Sequence, residues 1–167
     1  MLIASKYEDI YAPEIRDFIY ITDKNYTRDE ILKMESEILC TLQYDLLSVY
    51  SITFLTRYHF LSGGDKISFN LANLILELCL LEYKMLEYNQ SLKACSALYL
   101  ARKILNINDN WNSFLVSETG YTEADLAECV KDMCKVVEVV PKSKLQSSIE
   151  KYTKSEFNEV ALLICDI

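Results

Sequence analysis

Two short sequence patterns occur twice in this chain, in the same order and at nearly the same spacing. LIASK, which contains Ala4, resembles LYLARK around Ala101, 97 positions later. YTRDEIL, which begins at Tyr26, resembles YTEADL, which begins at Tyr121, 95 positions later. Two matches at nearly the same offset indicate that the chain is built from two similar units.

The two copies differ in what precedes them. About 50 residues, from Ser51 onward, lead up to the match at Ala101, whereas three residues lead up to Ala4. The first unit is therefore expected to lack its opening two helices and most of its third. A fragment, a truncated gene model and an atypically short protein all fit this pattern. If those helices are absent, apolar surface of the first unit should be exposed.

Helices with short connections are the expected building blocks, because 167 residues contain three glycines and two prolines. The apolar residues recur at helical spacing, and no segment alternates with the period of a strand. TRDE, from Thr27 to Glu30, is a capping box that opens a helix. Breaks are expected at Gly63-Gly64 and Gly120, and Pro141 is expected to close the helix before it. The predicted fold class is all-α, with a connector at Asp45–Tyr50 and helices at Met1–Asp9, Pro13–Tyr20, Thr27–Leu42, Ser51–Leu61, Ser68–Leu86, Ser91–Leu105, Trp111–Val116 and Thr122–Val139.

Charge and composition argue against several classes of partner. A formal net charge of −8 disfavours binding to nucleic acid. Six cysteines without a CxxC pair, and one histidine, His59, do not form a zinc-binding set, so we expect no metal or cofactor. The cysteines are interpreted as reduced core residues of an intracellular protein. The apolar run Ile67–Leu81 contains Asn70, Asn73 and Glu77 and is too short to cross a membrane, so no membrane association is expected.

The carboxylates of ASKYEDIYAPE, which are Glu8, Asp9 and Glu14, could in principle form a catalytic cluster. No glycine-rich loop, Ser-His-Asp set or metal-ligand cluster accompanies them. Carboxylates at the end of a helix usually belong to a solvated face. We therefore predict that the protein is not an enzyme.

Two charged residues fall inside apolar stripes. Glu35 lies in the middle of the stripe that Ile31, Ile38, Leu39 and Leu42 form on the third predicted helix, and Lys6 is similarly placed on the first. An unpaired buried charge would be strongly destabilising. Either the two residues form a salt bridge inside the fold, or both lie at the edge of an apolar docking surface. Physical reasoning alone leaves both alternatives open.

The segment LIASKYEDIYAPEIRDFIYITDKNYTRDEILKMESEIL, Leu2–Leu39, resembles the mitotic cyclins of the A and B type. It carries the family's ASK-aromatic-E-E-I-Y-x-P-E and ITD…YT…ILxME motifs with few departures. The later part of the chain resembles the C-terminal cyclin fold through TGYTEADL and KYTKSEFNEVALL. The resemblance implies tandem five-helix repeats. Residues 1–46 would form a partial N-terminal cyclin box, from the end of helix 3 through helices 4 and 5, and residues 47–167 the C-terminal fold and tail.

The resemblance also implies a function. The protein would be a regulatory subunit that binds and activates a cyclin-dependent protein kinase in G2/M control, as a heterodimer in the nucleus and cytoplasm. The family's interface lysine and glutamate correspond to Lys6 and Glu35. A cyclin-box scaffold and a transcription-factor-like protein without kinase activation remain alternatives. The other kinase contacts of the family correspond to Ile3, Tyr7, Asp9, Leu32, Ser36, Leu39, Tyr44 and Leu46.

Overall fold

A computed structural model describes residues 1–108, 110–139 and 145–165. These residues form α-helices and two short 3₁₀ turns, with no β-strand among them, so the predicted all-α class is confirmed. The predicted end of a helix at Pro141 lies outside the described residues. The helices are α1 (Leu2–Glu8), α2 (Ile15–Ile21), α3 (Arg28–Thr41), α4 (Ser51–Leu61), α5 (Lys66–Cys79), α6 (Gln90–Ile104), α7 (Ser113–Thr119), α8 (Glu123–Val139), α9 (Ser147–Tyr152) and α10 (Leu162–Cys165), and the 3₁₀ turns are Tyr83–Glu87 and Ser155–Phe157.

The chain divides into two compact units, Met1–Ser48 and Val49–Ile167. The first contains α1, α2 and α3. Leu2 is the only buried side chain of this unit, all of whose residues the structure describes. Met34 and Ile38 of α3, and Leu42 directly after it, are each more than 40% exposed. The expected apolar surface is therefore present on the first unit.

The second unit is organised around α6, which packs against α4, α5 and α8. Ala94, Ala97 and Ala101 of α6 are fully buried. Small side chains at these positions let the neighbouring helices approach closely, and dispersion contacts improve as the packing becomes denser. The second unit therefore has a continuous hydrophobic core, whereas the first does not.

The structure corrects the predicted helix Ser68–Leu86. α5 begins at Lys66 and ends at Cys79. Asp65 caps its start, because the Asp65 side chain accepts a hydrogen bond from the Ser68 amide. Glu82 then adopts an extended backbone, and its carboxylate accepts from the Lys84 amide at the start of the first 3₁₀ turn. Met85 in that turn is buried. The apolar residues keep their helical spacing across this break in the backbone. The sequence pattern therefore predicted a helix that extends too far toward the C-terminus.

The predicted helix Trp111–Val116 is displaced toward the C-terminus. Asn112 caps α7, because its side chain accepts a hydrogen bond from the Leu115 amide. Trp111 precedes the helix and is buried, and its Nε1 donates to the Tyr121 carbonyl at 2.9 Å. Gly120 ends α7 with a φ of +75°, a left-handed conformation that glycine adopts without steric strain.

Three polar contacts join the C-terminal segment to α5. The Tyr152 hydroxyl donates to Glu77 Oε1 at 2.8 Å, and Lys151 Nζ also binds this oxygen. Asn70 Nδ2 donates to Asn158 Oδ1 at 3.0 Å.

The described helices are all too short or too polar to span a lipid bilayer.

The cysteine prediction is confirmed only in part. The described cysteine side chains are free thiols, and Cys79, Cys95 and Cys129 belong to the core. Cys40 is exposed on α3, and Cys134 is half-buried. The interpretation of Cys40 as a core residue is therefore wrong, because α3 belongs to the first unit, in which few side chains are buried.

Candidate functional site

Seven of the predicted docking residues lie on one face of each of two helices in the first unit. Ile3, Lys6 and Tyr7 are spaced i, i+3, i+4 on α1, and positions with this spacing share a side of a helix. The residues of α3 follow the same rule over two turns. They are Leu32, Glu35, Ser36 and Leu39.

An ion pair joins these two faces. Lys6 Nζ lies 2.6 Å from Glu35 Oε1, across 29 positions of sequence. The Lys6 side chain is 49% exposed and that of Glu35 is 13% exposed. The pair that one alternative expected is therefore formed, but it lies at the surface instead of inside the fold.

The ion pair leaves binding capacity on the lysine. An ammonium group has three N–H donors, and the contact with Glu35 uses one of them. Glu35, which is largely covered, holds the ammonium in place while Lys6 stays accessible from outside. The arrangement can therefore present charge-assisted hydrogen-bond donors to a carbonyl or carboxylate of a partner.

Apolar side chains flank the ion pair. Ile3 on α1 and Leu32 and Leu39 on α3 are half-buried, and Tyr7 is 48% exposed. Such a surface offers burial on association together with a polar contact that fixes orientation. This combination is typical of protein-docking surfaces.

The remaining predicted contacts come from segments that follow the two helices. Asp9 comes directly after α1 and is exposed. Tyr44 follows α3 with a φ of +59°, and its hydroxyl lies 3.9 Å from Cys40 Sγ. Leu46 is half-buried in the segment beyond it. These three residues are thus not on the helix faces that the ion pair joins.

A groove of about 560 Å³ lies beside the ion pair in the first unit. Leu2, Ile31, Met34 and Ile38 contribute apolar walls, and Glu35 lines one side. Ile31, Glu35 and Ile38 of the stripe that the sequence predicted on α3 therefore line this groove together.

Sequence reasoning missed a buried charged network in the second unit. The Asp132 side chain is 6% exposed and accepts hydrogen bonds from Lys135, Lys84 and the Tyr88 hydroxyl at 2.7, 2.6 and 2.7 Å. These hydrogen bonds, with that of Lys135 the strongest, hold the pKa of Asp132 well below its ordinary value. Only the i, i+3 spacing of Asp132 and Lys135 was visible in the sequence, because Tyr88 lies 44 positions away.

Comparison with known families identifies both units. The family described as "Cyclin, N-terminal domain" matches residues 1–47, and "Cyclin, C-terminal domain" matches residues 49–166. The two matches together cover almost the whole chain.

Curated relatives agree with these matches. Rice Cyclin-B1-5 is 40% identical over 162 residues, which is 97% of this chain and 36% of the relative. Rice Cyclin-A1-1 is 41% identical over 172 aligned positions, 99% of this chain and 34% of the relative. The G2/mitotic-specific cyclin-B of Hydra vulgaris is 38% identical over 163 residues, 98% of this chain and 45% of the relative. The chain thus spans between a third and a half of the length of these relatives.

Proposed function

Because this chain belongs to the cyclin family, we propose that it is a regulatory subunit that binds and activates a cyclin-dependent protein kinase in G2/M control. The similarity to both A-type and B-type cyclins supports the mitotic assignment. The protein would have no catalytic activity of its own and would act as a heterodimer with the kinase. The surface around Lys6 and Glu35 would provide the contact.

The activation follows from differential binding. A partner shifts a kinase toward its active conformation only by as much as it binds that conformation more tightly. Ile3, Tyr7 and Leu32 would supply apolar burial, at about 25 cal/mol for each Å² removed from water. Lys6, held by Glu35, would fix the register between the two proteins.

The observation that carries this proposal is the placement of the Lys6–Glu35 ion pair. A pair buried in the fold could serve the stability of the unit alone. Here Lys6 is half exposed, and apolar residues surround it on the faces of α1 and α3. A polar contact in an apolar surround becomes desolvated when a partner covers it, and this strengthens the contact.

The test uses a purified cyclin-dependent kinase catalytic subunit that carries no other cyclin, with phosphorylation of a protein substrate as the readout. Lys6→Ala and Glu35→Ala should each weaken binding by about 2–5 kcal/mol, because one charge of a desolvated pair would be left alone. This is roughly 30-fold or more in Kd. Circular dichroism of each variant beside the wild type distinguishes loss of the contact from loss of helix, and weakened binding with an unchanged spectrum supports the assignment.

α3 offers a matched control. Lys33 and Glu37 form an exposed ion pair of 3.8 Å on the same helix, outside the predicted docking face. Lys33→Ala and Glu37→Ala should leave activation unchanged. Full activation by both Lys6→Ala and Glu35→Ala would rule out the assigned surface.

The scaffold alternative differs in one outcome, since a scaffold would leave the kinase unbound in a pull-down with the purified catalytic subunit. A transcription-factor-like role would require a shift of a DNA fragment in a gel at low salt.

We also propose that the protein is located in the nucleus and cytoplasm, which a fluorescent fusion would test. Exclusion of the fusion from the nucleus would contradict this location.

A further inference from the structure

The second unit contains a cavity of about 660 Å³ that the surface around Lys6 and Glu35 does not include. It is lined by the beginning of α4, the second half of α5, the first 3₁₀ turn and the beginning of α6. Ile52, Leu76 and Met85 are among its apolar walls. A cavity of this size and character can bind a segment of another molecule.

Lys93 of α6 lines this cavity and is only 7% exposed. Among the residues that the structure describes, none forms a hydrogen bond or an ion pair with its ammonium group. Its charge acts on the thiols of Cys79 and Cys129. Burial raises the pKa of Cys79 to about 12 and also raises the pKa of Cys129, so both thiols are neutral and do not balance the charge.

The ammonium group keeps access to the cavity. In the described residues, the fully enclosed side-chain atoms without a partner are His59 Nδ1, Ser96 Oγ and Asn110 Oδ1. Lys93 Nζ is not one of them, and therefore it reaches solvent. Because Lys93 lines the cavity, a ligand bound in the cavity would contact its ammonium group.

The two carboxylates in the cavity wall are already engaged. Glu77 binds Lys151 and the Tyr152 hydroxyl. Glu82 accepts a hydrogen bond from the Lys84 backbone amide. Lys93 is consequently a largely covered cation whose ammonium group reaches the cavity and forms no ion pair with the described carboxylates.

Exposed apolar side chains continue from the cavity onto the surface. Leu80, Tyr83 and Leu86 are 82%, 86% and 69% exposed, and all three also line the cavity. These side chains form an apolar ridge beside the opening of the cavity. A protein segment fits better than a small molecule, because it could fill the cavity and cover the ridge together.

We propose that this cavity binds a peptide segment of a partner protein in which an Asp or Glu side chain lies among bulky apolar residues. The carboxylate would pair with Lys93, and the apolar neighbours would pack against Leu80, Tyr83 and Leu86. The ion pair would form in an apolar surround, where a charge-assisted hydrogen bond is stronger than in water. This second docking site is separate from the residues proposed to contact the kinase.

The test uses a phage-displayed library of random 12-residue peptides selected on the whole chain, with counter-selection on Lys93→Met. Enriched peptides should carry a carboxylate flanked by bulky apolar residues. A synthetic peptide of the enriched sequence should bind the wild type at least tenfold more tightly than Lys93→Met or Lys93→Gln, as measured by fluorescence anisotropy. Replacing its acidic residue with the corresponding amide should cause a similar loss.

Lys103→Met is the matched control, because Lys103 lies on the same helix and its ammonium is 5.9 Å from the centre of the Tyr99 ring. This variant should bind the peptide like the wild type. Lys93→Met should also melt at the same or a higher temperature than the wild type, whereas a structural role of Lys93 would lower the melting temperature. Enrichment without carboxylates, or equal binding by Lys93→Met, would overturn the proposal.

Discussion

His59 is the one histidine of the chain, and it lies in the last turn of α4, just before the connection to α5. Its centre lies 5.1 Å from that of the Phe69 ring, and its Nδ1 is enclosed without a hydrogen-bond partner. Burial lowers the pKa of His59 below its ordinary 6.5, and the charge of Arg102 lowers it further, while Asp65 raises it. The folded protein therefore favours the neutral imidazole.

This preference predicts how stability depends on pH. The unfolded chain binds a proton at His59 more readily than the folded chain, so the free energy of unfolding should fall as the pH decreases through 6.5. His59→Gln should remove this part of the dependence. Urea unfolding followed by Trp111 fluorescence between pH 7.5 and 5.5 would measure it, and NMR titration of the single imidazole would give its pKa directly.

Parallel stability profiles of the wild type and His59→Gln over this range would contradict the prediction. The lowered pKa values of Asp65 and Asp132 act in the same direction but at lower pH, because their ordinary value is 3.8. The two contributions can therefore be separated by their pH windows.

Among the helices, α3 and α8 begin with the same capping arrangement. The Thr27 amide donates to Glu30 at 2.8 Å, and the Glu30 amide donates to Thr27 Oγ1 at 3.4 Å. Thr122 and Asp125 repeat this pair of contacts at the same distances. The pKa of each carboxyl is lowered by its hydrogen bonds to the capping threonine. The internal repeat seen in the sequence thus corresponds to a repeated local structure.

The caps of α3 and α8 have the same geometry, but they should contribute unequally to the free energy of unfolding. Thr122→Ala should lower the free energy of unfolding of the second unit by about 0.5–2 kcal/mol, because α8 belongs to its core. Thr27→Ala should reduce the helical signal in circular dichroism but leave the Trp111 transition unchanged. Thr→Ser at each position keeps the hydroxyl and serves as the control. A shift of the Trp111 transition by Thr27→Ala as large as that by Thr122→Ala would contradict this view.

These elements also show how far the sequence can predict the fold. The cap at Thr27 and the break at Gly120 depend on contacts within a few residues, and the sequence predicted them. The end of α5 depends on the backbone of Glu82, which the apolar pattern conceals. Lys6 and Glu35 were singled out correctly, but their pairing and exposure depend on how α1 and α3 pack. No local pattern indicated that Lys93 is buried without a counter-ion.

At the scale of the whole molecule, the two units differ in how they are stabilised. The second unit has a large core and satisfied charged groups such as Asp132. In the first unit, Leu2 alone is buried, and Met34, Ile38 and Leu42 in and directly after α3 are exposed. Local stability follows the burial of apolar side chains, so it should be low throughout Met1–Ser48.

Amide hydrogen exchange should reveal this difference. Amides of α3 should exchange through openings that require close to 0 kcal/mol, whereas amides of α6 should exchange only through global unfolding. Addition of the kinase catalytic subunit should slow exchange in α3 and leave α6 unchanged. Equal protection of α3 and α6 in the free chain would contradict the unequal stability of the two units.

The ion pair between α1 and α3 has a consequence for the speed of association. A lysine that is already held by Glu35 does not have to search its rotamers when a partner arrives. The loss of that freedom, about 0.5–1.5 kcal/mol for a long side chain, is then incurred during folding instead of during the encounter. Collision and orientation would set the on-rate, and differences between partners would appear mainly in how long each complex lasts.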